Sequence, residues 1–182
     1  MDDLEQDAVD TTAAMLAEGG WVPPPTVHLL CAELPRLPYV GYLRSRPFYR
    51  GDDAHRAIAG LGWIASLTQA SRVVLIWEQA DLSIALQRPP SLPSGLVVLD
   101  AARGSEHEVR WHPMDLIETG TTPDGLPTAV PEWGPSRRIP GGRLPEPILD
   151  LLALWREERI WSEVRNALSC TSVRRAGFEP AT

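Results

Sequence analysis

The sequence predicts an α/β fold: a single domain with a mixed sheet of about five strands, parallel central strands and helices on both faces. Three observations lead there. Val73 to Trp77 is an unbroken apolar run with two adjacent valines, as expected of a strand covered on both sides. Leu96 to Leu99 is a second such run. Each is preceded by a connection long enough for a crossover between parallel strands.

The elements follow in order. Residues 3 to 18 place Leu4, Ala8, Thr11 or Thr12 and Met15 at helical spacing, with acids clustered early, where the helix dipole favours them. Gly19-Gly20 ends this helix, and Trp21 to Pro25 is a proline-rich connector. Thr26 to Leu34 alternates as a strand, with Val27, Leu29 and Cys31 on one face. Tyr39 to Arg46 is the next strand, and the short turn between Pro35 and Pro38 makes the pair an antiparallel hairpin. A helix starts at Asp52, its expected N-cap, and buries Ala57, Ile58, Leu61, Ile64, Ala65 and Thr68. Gly60 and Gly62 would let it approach the sheet closely.

The strand Arg72 to Glu78 comes next and then a short helix, Ala80 to Leu86. Gly95 to Ala101 is the second apolar strand. Glu106 to His112 alternates and reads as an antiparallel edge strand, with His107, Val109 and Trp111 on one face and Glu108, Arg110 and His112 on the other. Residues 113 to 143 are rich in Pro and Gly and read as a long loop wrapped over the sheet, with helical turns near Asp115 to Glu118 and Trp133 as its anchor. A final helix starts near Pro145 and runs to about Ser169, with Ile148, Leu151, Leu152 and Trp155, then Ile160, Trp161, Val164 and Leu168, on its apolar side. The domain is thus expected to span residues 1 to 170.

The tail is a separate matter. Gly177-Phe178-Glu179-Pro180 can be spelled GGG TTC GAA CCC, which resembles the T-arm of a transfer-RNA gene. That resemblance implies a reading frame extended beyond the evolved fold, so residues 171 to 182 are expected to be disordered.

Composition narrows the function. The chain carries a formal net charge of -7, which argues against nucleic acid as a partner. All 17 basic residues are arginine, a pattern of GC-rich coding. Cys31 and Cys170 lack metal-ligand spacing and fit a reducing compartment. The acidic start is unlike a signal peptide, and no apolar run approaches the roughly 18 residues of a membrane helix. A soluble, cytoplasmic protein is expected, with another protein as its partner.

Open parallel sheets bind ligands at the C-terminal edge of their strands. In the expected fold that edge collects Glu78, Asp81 and Asp100 as candidate catalytic carboxylates, with Arg46, Arg50 and Arg103 as candidate anion-binding groups. The competing explanation is structural pairing, with Asp81 as the N-cap of its helix and Glu78 left over. His28, His55, His107 and His112 have no metal-ligand spacing, and no phosphate loop, dinucleotide fingerprint or nucleophile elbow is present, so no cofactor is indicated. Trp155 and Trp161, on a helix rich in arginine, are candidate interface residues. The favoured function is a non-catalytic protein-interaction or regulatory module. The alternative is a small metal-assisted hydrolase or nuclease using the three carboxylates.

Overall fold

A computed structural model describes residues 2–31, 38–89, 92–104, 107–139 and 143–157. It forms one α+β domain around an open sheet of seven strands, every pairing of which is antiparallel. The expected parallel centre is therefore overturned. The strands are β1 (Thr26–Leu30), β2 (Tyr39–Arg44), β3 (Arg72–Glu78), β4 (Gly95–Ala102), β5 (His107–Thr121), β6 (Pro127–Trp133) and β7 (Arg137–Arg138). The sheet order is β2-β1-β3-β4-β5-β6, and β7 pairs with β5 at Arg110 and Trp111.

The β1–β2 hairpin forms as expected. The difference lies in where β3 goes. It runs in the same direction as β2, as a crossover requires, but it pairs with β1 and leaves β2 at the edge. β4 then returns antiparallel beside β3, because the short helix α4 (Gln79–Ala85) turns the chain at the sheet's end and does not cross it.

Both faces of β3 are covered, as its continuous apolar run requires. Val73, Leu75 and Trp77 point to one face with Val27, Leu29, Val97, Leu99, Val109 and Trp111. Over them lie α2 (Asp52–Ala59), α3 (Leu61–Leu67) and α5 (Glu146–Arg156), through Ile58, Leu61, Ala65, Ile148, Leu151, Leu152 and Trp155. Ile64, expected in that stripe, is exposed instead. The other face carries Val74, Ile76, Leu96 and Val98, covered by Leu4, Ala8 and Val9 of α1 (Asp2–Gly19) and by Trp133 of β6.

The stretch read as a long loop is mostly strand. Residues 113–121 continue β5 and residues 127–133 form β6. Its prolines do not break the strands because they sit where a strand tolerates them. Gly134 N–H donates to the Pro113 carbonyl, so alternation places Pro131 between the hydrogen-bonded pairs, with its missing N–H on the outer side. Pro127 sits likewise, one pair beyond the Thr122 N–H to Leu126 carbonyl bond. Trp133 does anchor this segment on the sheet. The segment 107–112 alternates as expected, but β7 pairs outside it at Arg110 and Trp111, so it is no free edge.

Two glycines serve close approaches. Gly20, at φ +68°, ends α1 in the left-handed region, and a Cβ there would stand 2.1 Å from the Pro127 carbonyl oxygen. Gly62 does not bring its helix to the sheet. It seats α3 on α5, where a Cβ would meet the Leu151 carbonyl oxygen at 2.3 Å. Gly62→Ala should therefore destabilise the protein by about 1–3 kcal/mol through overpacking, despite the gain in helix propensity. Urea unfolding checks this: a lower midpoint at unchanged slope is expected.

Candidate functional site

The sequence-predicted edge does not assemble. Because β4 runs against β3, Asp100 pairs with Val74, four positions from Glu78 and so about 13 Å along the strand. Asp100 is held by Arg72, whose Nε donates at 2.7 Å while Nη2 donates to the second carboxylate oxygen. Glu78 is buried and fully engaged. One carboxylate oxygen accepts from the Asp81 N–H and caps α4; the other accepts from the Gly95 N–H at 2.9 Å and the Ser94 hydroxyl at 3.1 Å. The N-cap is thus Glu78 and not Asp81. Asp81 stands in the first turn of α4 and is exposed as a whole residue. Desolvation raises its pKa, the Glu78 charge adds to the rise, and Arg50 opposes it.

The arginines divide as well. Arg50 shares the Asp81 end, since β2 and β3 run the same way. Arg46 pairs with Asp53, whose carboxylate also accepts from the Tyr49 N–H. Asp53 is held at about 2 by the Arg46 hydrogen bond first and the Tyr49 N–H second. Arg103 lies at the opposite end of the sheet, where its Nη2 donates to the Trp155 carbonyl at 2.9 Å. Trp155 is wholly buried, and its Nε1 donates to the Ala70 carbonyl, so it is core and no interface residue. Trp161, the helix beyond 157 and the tail at 171–182 lie outside the described residues. Among the described residues, no group of three or more His, Cys, Asp or Glu side chains could hold a metal ion. None of the described helices is long and apolar enough to cross a membrane.

The structure offers a different site, on the face covered by α1. That helix is fastened toward β5 and β6. Glu5 is buried there; it accepts from Arg110 Nη1 at 2.7 Å, and its other oxygen stands 2.8 Å from His112 Nε2 without good hydrogen-bond geometry. Glu108 accepts from Arg110 Nε at 2.9 Å and extends the network to Arg138. Fastened there, α1 leaves the β1–β2 half of the sheet open. Between them runs a cleft of about 260 Å³. Asp7 and Thr11 of α1 form one wall, Thr26, His28 and Ile76 the floor, and Tyr39, Tyr42 and Arg44 of β2 the other wall.

The polar groups of the cleft interact. His28 Nδ1 lies 3.1 Å from the Tyr39 hydroxyl. Burial lowers the His28 pKa and Arg44 adds to the fall, against the opposing charge of Asp7. Burial also raises that of Tyr39, helped by Tyr42 and Asp7. Near neutral pH the floor is therefore a neutral imidazole beside a protonated phenol. When Nδ1 accepts from the phenol, Nε2–H is left to donate into the cleft. The Arg44 guanidinium lies 5.0 Å from the Tyr42 ring centroid, a cation–π contact.

Two larger hollows are less suited to a ligand. One, about 550 Å³, lies between α4 and the start of α5, but the Arg88 charge there is matched by Glu146 at 2.6 Å. The other, about 430 Å³, lies between α2, α3 and α5, and Asp150 in it accepts from His55 at 2.7 Å. The cleft beneath α1 differs in having an outer strand of the sheet as its wall. Sequence reading missed it because its residues come from three separated segments. The one visible signal was the aromatic and basic pattern of Tyr42, Arg44 and Arg46.

Fold and site define an α+β protein with an open antiparallel sheet and a mixed aromatic and charged cleft at one edge. No protein-family model, curated protein or solved structure matches the chain.

Two outcomes test this geometry. Asp81→Asn should raise the melting temperature at pH 7, because the fold disfavours the ionised carboxyl. The advantage should shrink as pH falls and both states protonate. His28 behaves oppositely. Its folded pKa lies below the ordinary 6.5, so stability should fall as pH drops below about 6.5 and the unfolded chain takes up the proton first. Melting curves of His28→Gln against pH should show a shallower acid slope.

Proposed function

We propose that this protein is a non-catalytic interaction module whose binding site is the cleft between α1 and the β1–β2 edge. The observation that carries the reading is the union, in one cleft, of an apolar and aromatic lining with a few convergent polar groups, walled by an outer strand. Tyr42 and Val40 of that strand are about half exposed, at 54% and 48%. Tyrosine and arginine together supply rigid contact area and a charge, the usual anchors of a protein interface. The three carboxylates expected for hydrolysis each have structural surroundings that account for them. Glu78 caps a helix and ties it to β4, Asp100 pairs with Arg72, and Asp81 sits exposed at a helix end.

A selection from displayed random peptides tests the reading. Binders should shift the amide resonances of Asp7, His28, Tyr42 and Arg44. Thr11→Trp, which fills the cleft from α1, should weaken them by about tenfold or more. Binders that map elsewhere and ignore Thr11→Trp would overturn it.

A further inference from the structure

The two edges of the sheet are built differently, and the difference bears on what the cleft receives. β6, at one edge, is blunted: Pro127 and Pro131 occupy outward-facing positions and remove their N–H groups. β2, at the other edge, has no proline from Tyr39 to Arg44. Ser45 N–H donates to the Pro25 carbonyl, which sets the alternation: Leu43 and Gly41 pair inward with Val27 and Leu29. The main-chain N–H and C=O groups of Tyr42 and Arg44 consequently face outward at the free edge, and a register shift opposite Leu29 and Leu30 interrupts the alternation at Val40.

Resting on the reading above, we infer that the ligand is an extended, acidic polypeptide segment of another protein, which adds to β2 as a further antiparallel or parallel strand beside the α1 cleft. A row of alternating donors and acceptors at strand spacing is matched by another strand, and main-chain pairing then supplies affinity while side-chain pockets supply selectivity. Side chains of the added strand on the α1 side stand next to Tyr42 and Arg44, at the mouth of the cleft. Arg44 is the only charged residue of β2, and it asks for a carboxylate. Asp7 is the opposing charge of the cleft, but it stands on the α1 wall, whereas Arg44 stands on the outer strand itself. A second copy of this chain fits the edge poorly. Its β2 would bring another Arg44 and no acid.

Peptides selected from the random library test the inference. They should share an acidic position, and Arg44→Ala should weaken them. Backbone N-methylation of a bound peptide should cost about tenfold or more at alternate residues and little at those between, the period of a strand ladder. Tyr42→Pro, which removes one outward N–H together with the ring, should lower affinity as well, and the N-methyl series isolates the main-chain contribution and keeps the test sound if that variant folds poorly. Loss of binding without the two-residue period, or selected peptides with no acidic preference, would overturn the inference. So would sedimentation as a dimer that Tyr42→Pro dissociates. Peptides sensitive to Thr11→Trp but indifferent to N-methylation would remove the strand-addition mode and leave the cleft reading standing. Indifference to both would remove both.

Discussion

The double-sided burial of β3 is the constraint on which the other elements depend. Val73, Val74, Leu75 and Ile76 alternate between two faces, and none of them is more than 6% exposed. A strand of that kind is stable only between two others and under two covers, since each uncovered valine or isoleucine would forgo roughly 1.5–3 kcal/mol of burial. β1 and β4 flank it. The α2–α3–α5 layer supplies one cover, and α1 with Trp133 the other.

The second cover explains the site. One helix covers only part of a sheet face, so its position decides which strands stay open. The buried Glu5 carboxylate chooses. Partners on β5, Arg110 and His112, fasten α1 at the side of the sheet away from β2. Burying that charge is costly unless it is paired, and Arg110 and His112 supply the pairing on β5. The cleft is what this attachment leaves uncovered. The same reasoning shows why Glu5 escaped the apolar stripe read from the sequence. Helical periodicity counts hydrophobes, and here a carboxylate occupies one of the buried positions of α1 beside Thr12 and Leu16.

Much of the local structure was legible. The apolar runs of β3 and β4, the β1–β2 hairpin, the facing of Val109 against Arg110, and the buried series Ile148, Leu151, Leu152 and Trp155 all follow from period and composition. Pairing order did not follow. A helical connection after β2 permits β3 beside β2 or one strand further, and both choices give the same direction. The distinguishing signal was amphipathicity: Tyr39 to Arg44 alternates half-buried with exposed residues and includes Gly41, which suits an edge, whereas β1 is more deeply buried. The carboxylate site failed for the same reason. Glu78 and Asp100 converge only if β3 and β4 are parallel, and one reversal puts them apart.

Proline carried opposite information at the two edges. In residues 113–143 its frequency matches loop composition, yet Pro127 and Pro131 lie at positions where a strand needs no donor. An unpaired edge invites pairing with other chains, and removing outward N–H groups suppresses it. The chain uses that device on β6 and not on β2. A protein under pressure only to stay monomeric would gain from blunting both edges. An edge left competent, beside a cleft lined by Tyr42, Arg44 and His28, is the arrangement expected where pairing is the function.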